Sequence, residues 1–300
     1  MLLVIRAIYS WCSNRKDPEF QRYHLEYHRT PLATPAMQDL KVLHLYVDDT
    51  GLESYYHVLV DSKYFKYISI DSGVYDVEDL AFPQALVSKL PNLPSGEWNL
   101  GHIAKSEDDI SPHFAWTIQR TFSSIQHTWH LVYVDYLSHT MVKILLPNVY
   151  EVTTPRFHVP VIVKFARFPW EIDYYDQETQ AYSWIEGHDI GPKFLGHVTE
   201  GERVIGFLLQ KVYGRHAGHT DLQLCRTAVS NLHGLGIHHG DLNKHNFLVQ
   251  PSRAYLIDFE SSRKVDDQQA LISELESLEG NICSDSRRGG NYTDFPQPQS

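Results

Sequence analysis

The chain has 300 residues, of which 42% are hydrophobic and 21% charged, enough for one large or two small globular domains with an ample core. Its formal charge of -11 excludes a general nucleic-acid binder, which needs Lys and Arg clustered against phosphates. Cys12, Cys225 and Cys283 are widely scattered, form neither a disulfide framework nor a zinc spacing, and favour a reducing compartment.

The first residues, MLLVIRAIYSWC, are apolar, but Arg6 interrupts them and no small-residue cleavage site follows, so no secretion signal is read there. No stretch reaches the roughly 20 apolar residues of a membrane span. The expected location is cytoplasmic, with nuclear left open. Residues 1–37 carry Pro18, Pro31 and Pro35 among polar residues and read as a flexible arm. From Lys41 the texture changes. KVLHLYVDD and YYHVLVDS are strand-like and flank Asp49-Thr50-Gly51, a hairpin signal, and residues 63–71 suggest a third strand. Asp76–Leu90 reads as one short helix stopped by Pro91 and Pro94. Residues 92–125 are less regular, and 38–125 together form an α+β extension.

Strand patterns return in HLVYVDYL, MVKILL, VYEVTT and VPVIVKFARF, where Lys164 is the one charge among Val161, Ile162, Val163, Phe165 and Ala166. A helix opens at Asp173, with Tyr174, Glu178, Ala181, Tyr182 and Ile185 at helical spacing. Two strands joined at Glu200-Gly201 follow, then a helix capped by Thr220 or Asp221 and running through Leu224, Ala228 and Leu232. A last helix carries Leu271, Leu275 and Leu278 on one face, and 284–300 is a Gly/Ser/Pro/Gln-rich tail expected to be disordered.

Between those two helices lies the stretch LHGLGIHHGDLNKHNFLVQPSRAYLIDFE, residues 232–260. Asp241 and Asn246 sit five residues apart on a loop, and Asp258 ends the strand-forming run Ala254-Tyr255-Leu256-Ile257. Taken singly, each has a plain reading: Asp241 caps a turn, Asn246 is a turn residue, Asp258 terminates a strand. Together they are oxygen ligands converging from a loop and a strand end, which suits a hard cation such as Mg²⁺. His233, His238 and His239 have no third partner at zinc spacing and are read as scaffold residues. A buried lysine such as Lys164 needs a counter-charge. Glu178 on the following helix is the best candidate, with Glu171 and Glu186 competing. The plain alternative is an edge-strand lysine whose head reaches water.

VIVKF, QETQAY, HGDLNKHNFLV and YLIDFE together resemble the protein-kinase-like superfamily, in the style of aminoglycoside phosphotransferases and atypical kinases. Over residues 160–290 the phrases ARFPWEI, IGPKFLGHV and GERVIGF are similar to an uncharacterised fungal kinase-like group whose members sometimes carry an alpha-galactosidase A name. Glycosidase chemistry itself has no support in the residues. The resemblance implies an α+β, bilobal protein-kinase-like fold, with an N-lobe over 126–212, a reduced C-lobe with the catalytic loop over 213–283, and the N-terminal α+β extension. It further implies an ATP- and Mg²⁺-dependent phosphotransferase. Asp241 would be the catalytic base, Asn246 and Asp258 the metal ligands, Lys164 and Glu178 the phosphate-side pair, and Gln210 and Val212 the backbone contacts to the adenine.

Three departures from the family pattern matter. The turn over the phosphates, Leu145-Leu146-Pro147-Asn148-Val149-Tyr150, carries no glycine. Asp258-Phe259 is followed by Glu260, with no activation segment. Few residues follow Asp258, so the peptide-docking helices of a protein kinase are not expected. An unknown small-molecule acceptor is therefore favoured over a protein hydroxyl, without nucleic acid or membrane as partner. The alternative is a pseudokinase-type nucleotide-binding or scaffold module.

Overall fold

The computed structural model describes residues 39–48, 51–105 and 111–284. The flexible arm, Asp49 and Thr50 of the first hairpin turn, and all of the tail after Ser284 lie outside the described residues. Those described fall into two compact units divided between Phe122 and Ser123. The architecture is α+β.

The first unit is a five-stranded sheet in the order β1-β2-β3-β4-β5: β1 is Leu40–Tyr46, β2 Ser54–Val60, β3 Tyr64–Ile70, β4 Leu100–Lys105 and β5 Pro112–Ile118. All neighbours are antiparallel except β3 and β4, whose parallel crossover carries helices α1 (Val77–Ala81) and α2 (Pro83–Lys89). Where the sequence predicts one helix over Asp76–Leu90, the structure has two. Pro83 holds Phe82 extended at φ -112°, ψ 104° and starts α2 afresh. The stretch 92–125 is more regular than expected, because β4 and β5 lie in it. Gly101 sits inside β4, where the ring of Phe114 occupies the space of an absent side chain. The core gathers Tyr56, Val58, Ile68, Ile70, Leu80, Leu86, Trp98 and Ile103 between the sheet and α1 and α2. Burying each such side chain is worth about 1.5–3 kcal/mol.

The second unit opens with a six-stranded sheet in the order β6-β10-β11-β9-β8-β7. Its strands are β6 (Tyr133–Asp135), β7 (Thr140–Leu146), β8 (Val149–Thr154), β9 (Phe157–Phe165), β10 (Phe194–Glu200) and β11 (Arg203–Gln210). The expected strand HLVYVDYL shrinks to the three residues of β6, because Asp135 accepts from Leu137 N at 2.7 Å and turns the chain into a short 3₁₀ helix. Alternation along β9 buries Val161, Val163 and Phe165 on one face and leaves Lys164 on the other. Gly206 on β11 lets the backbone of Lys164 and Phe165 approach so closely that a Cβ would lie 2.3 Å from the Lys164 carbonyl oxygen.

Helix α3 (Ile172–Ile185) follows β9 and buries Tyr175, Glu178, Thr179, Ala181, Tyr182 and Ile185. Tyr174, expected on that stripe, is only half-buried; its neighbour Tyr175 takes the place. Beyond β11 come α4 (Leu222–His233), β12 (Ile237–His238), the hairpin β13 (Phe247–Gln250) and β14 (Arg253–Leu256), β15 (Arg263–Lys264) and α5 (Gln268–Cys283). On α5 the inner face carries Leu271, Leu278 and Ile282 as an apolar stripe requires, with Leu275 half-buried, but also the buried Glu274.

Candidate active site

Between β12 and β13 the chain makes the loop that carries Asp241 and Asn246. Gly240 allows its sharp entry: φ is +86° there, and a Cβ would lie 2.5 Å from the Ser261 carbonyl oxygen. The Asn243 side chain caps the 3₁₀ turn Lys244–Asn246 by accepting from His245 N at 2.9 Å. Two bonds fasten this loop to the end of β14. Ile257 N donates to Asn246 O at 3.0 Å, and the His239 ring donates from Nε2 to Ile257 O at 3.2 Å. With Nδ1 facing the Asp241 N–H at 3.4 Å, His239 is a neutral imidazole, and its burial lowers its pKa. It is scaffold, as the sequence suggests.

Asn246 is buried, and its Nδ2 donates to Asp241 O at 2.8 Å, which leaves the amide oxygen as the atom able to bind a cation. Asp258 stands at the end of β14 in left-handed backbone, φ +68°, a conformation that non-glycine residues hold only when their surroundings impose it. Lys164 reaches the Glu178 carboxylate expected of it and also that of Asp258, expected only as a metal ligand: its Nζ lies 2.6 Å from Glu178 Oε2 and 2.5 Å from Asp258 Oδ1. The competing partners are disposed of. Glu171 is taken by Arg167, whose Nη2 is 2.6 Å from Oε1 and whose backbone N–H is 2.6 Å from Oε2, while Glu186 is exposed.

One ammonium thus serves two carboxylates, and they respond differently. Burial pushes Glu178 up to about 7 against the pull of Lys164, since its side chain is 1% exposed. Burial would also raise Asp258, but the Lys164 charge and hydrogen bond hold it below the ordinary range. Lys164 would be lowered by burial alone; Asp258 and Glu178 raise it well above its usual value. The Asp258 side chain is a third exposed and engages Lys164 through Oδ1, so Oδ2 is its remaining ligand atom. Asn246 and Asp258 offer hard oxygen donors joined through one backbone bond, a donor set that fits Mg²⁺.

Sequence reasoning missed the residue that holds this loop. Glu274 of α5 accepts from Gly240 N at 2.7 Å and His239 N at 3.0 Å, and pairs with His233 Nε2 at 2.8 Å. Burial opposes its ionisation, but these donors prevail and hold it down to about 2. A carboxylate interrupting the apolar face of α5 was the available signal. Phe259 joins the two parts of the site: its ring packs 5.2 Å from His239 and 5.2 Å edge-on to Tyr182 of α3, and its N–H points to Glu178 Oε1 at 3.4 Å. Gln210 ends β11 with its N–H on Lys193 O at 2.8 Å, and Val212 lies two residues on, half-buried. The glycine-free turn is a tight hairpin between β7 and β8, placed beside β9 by the pairing of Val149 with Lys164. Its Asn148 is buried, donates to the Tyr175 hydroxyl and accepts from Phe165 N at 3.2 Å.

The lipopolysaccharide kinase (Kdo/WaaP) family matches residues 205–293, a span that includes Asp241, Asn246 and Asp258 but not Lys164 or Glu178. No curated protein matches the chain. Among solved structures, the kinase PK-1 of Cydia pomonella granulovirus is similar at 17% identity and a TM-score of 0.35, over 43% of this chain. The aligned part spans 53% of the viral chain, about half its length. These comparisons lend no support to the fungal group or to the galactosidase name. Across the loop and strand end that carry Asp241, Asn246 and Asp258, within an α+β fold, the chain is similar to a kinase family.

Proposed function

We propose that the protein is an ATP- and Mg²⁺-dependent phosphotransferase acting on the hydroxyl of a small molecule. The observation that carries the reading is Lys164 Nζ held between Glu178 Oε2 at 2.6 Å and Asp258 Oδ1 at 2.5 Å, a buried cation at the meeting point of β9, α3 and the end of β14. A fold by itself does not require this constellation. Phosphoryl transfer asks a protein chiefly to position and to stabilise charge. Lys164, oriented by Glu178, is the group for nucleotide phosphates. Asn246 and Asp258 would hold Mg²⁺, which when bound neutralises phosphate charge. Asp241, anchored through its backbone oxygen by Asn246, is the carboxylate to orient the acceptor hydroxyl and take its proton. Gln210 and Val212 would meet the adenine through their backbone. The matching family is named for lipopolysaccharide, which favours a carbohydrate hydroxyl as acceptor.

The alternative, a pseudokinase-type module, has one observation in its favour. The turn beside Lys164 has no glycine and is pinned by Asn148 to Tyr175, so it has little freedom to wrap phosphates with backbone N–H groups.

Mg²⁺-ATP at millimolar concentration is expected to raise the melting temperature of the wild type and to leave Asp258→Ala unshifted. Absence of a shift in the wild type would sink the nucleotide site. Slow ATP turnover by the wild type, cut about 100-fold or more in Asp241→Asn, supports the enzyme. Equal rates favour the pseudokinase.

A further inference from the structure

We propose that Glu53, Asp71 and His102, in the first unit, form a binding site for one divalent transition-metal ion, Zn²⁺ or Mn²⁺. The inference is independent of the phosphotransferase reading, whose residues all lie in the other unit.

The register of the sheet brings these residues together. Ser54 pairs with Ile70 across β2 and β3, which sets Glu53 beside Asp71, just outside the two strands. Ser69 pairs with His102 across β3 and β4. Side-chain alternation puts Ser69 and Asp71 on the same face. One carboxylate, a second carboxylate and an imidazole thus converge from three adjacent strands. Their donor atoms all lie within 4.8 Å of one another.

The histidine is oriented as a metal ligand is. Its Nδ1 is 2.8 Å from the hydroxyl of Ser69, which is itself buried, and its ring stacks on Trp116 at 5.3 Å. The Ser69 hydroxyl can accept from Nδ1–H, the tautomer that leaves Nε2 free to bind an ion. Nε2 is left facing Asp71 Oδ1 at 3.3 Å. Among the other imidazole–carboxylate pairs of the described residues, His127–Asp176 and His233–Glu274 close to 2.8 Å while His238–Glu274 stands at 3.5 Å. Two donors sharing an ion at about 2.1 Å, at angles between octahedral and tetrahedral, are separated by about 3.0–3.4 Å. The 3.3 Å between His102 Nε2 and Asp71 Oδ1 falls within that range. The Tyr55 hydroxyl hydrogen-bonds Glu53 and steadies the third donor. With the Asp71 side chain 44% exposed, an ion has a route in and room for water in its remaining positions. The imidazole among the donors favours Zn²⁺ over Mg²⁺ or Ca²⁺, and the two carboxylates also suit Mn²⁺.

The competing arrangement is a plain hydrogen-bonded chain from Ser69 through His102 to Asp71. Calorimetric titration of the full chain with ZnCl₂ and with MnCl₂, in buffer containing millimolar Mg²⁺, separates the two. One saturable equivalent is expected, weakened at least tenfold in His102→Ala and in Asp71→Asn, about tenfold in Ser69→Ala, and unchanged in Asp258→Asn. Asp71→Asn and Glu53→Gln are isosteric changes at the open edge and carry the test if His102→Ala does not fold. An isotherm that is the same in wild type and Asp71→Asn, or no saturable equivalent for either ion, overturns the site.

Discussion

Lys164 shows how one side chain organises a site. Its side chain is 12% exposed, and its ammonium would be costly to bury alone. Two carboxylates from distant parts of the chain compensate, and their unequal burial separates their roles. Glu178, fully enclosed, orients the lysine, while Asp258, partly open, keeps an oxygen for a cation. One turn beyond Glu178 on α3, the Tyr182 hydroxyl is buried and has no hydrogen-bond partner among the described residues. Its ring packs against Phe194, Phe207 and Phe259 at 5.8, 5.5 and 5.2 Å. Burying an unpaired hydroxyl costs on the order of 1–3 kcal/mol. Tyr182→Phe is therefore expected to raise stability by about 1 kcal/mol, seen as a higher urea midpoint with an unchanged slope, and to leave the Mg²⁺-ATP thermal shift as it is. A loss of stability would show that the hydroxyl has a partner after all.

Helix α5 acts at the element scale, holding the Asp241 loop through a single residue. The Glu274 carboxylate stands where an apolar stripe would place a leucine and satisfies the N–H groups of His239 and Gly240. Its folded-state pKa of about 2 lies below the ordinary 4.5, so the unfolded chain takes up the proton first as pH falls. The stability Glu274 contributes is fully present above pH 4.5 and is lost as pH drops through about 2. Discounted for solvent screening, the contribution is on the order of 2 kcal/mol. Urea midpoints of the wild type are expected to fall steeply across that window. Glu274→Gln, destabilised at pH 7 by a similar amount, should converge on the wild type near pH 2. Parallel pH profiles for the two proteins would mean that Glu274 is not the group titrating.

At the scale of the molecule, the two units have separate cores. Tyr56, Val58, Ile68, Leu86 and Trp98 pack within the first. In the second, Phe165, Phe194, Phe207, Phe247 and Phe259 are fully buried. Lys164, Glu178, Asp241, Asn246 and Asp258 all belong to the second. A protein beginning at Ser123 is accordingly expected to fold and to keep the thermal shift with Mg²⁺-ATP. It would lose the Zn²⁺ or Mn²⁺ equivalent assigned to Glu53, Asp71 and His102. Loss of the nucleotide shift in a folded truncation would show that the first unit contributes to that site.

The sequence by itself determined the elements whose signals are local: the alternation of β9, the helical stripe of α3, the existence of α4, and the short loop spacing of Asp241 and Asn246. It also marked Lys164 as a charge in need of a partner, because burial of an ammonium is costly wherever it occurs. Only the tertiary structure decided which carboxylate answers. Glu171 folds back on Arg167 four residues away, Glu186 stays in water, and Glu178 reaches inward together with Asp258, 94 residues along the chain from Lys164. The partners of Glu274 and the convergence of Glu53, Asp71 and His102 were invisible for the same reason. A residue's spacing along the chain does not specify its neighbours across a sheet or between a helix and a loop; register and packing create those contacts, and here they assemble both sites.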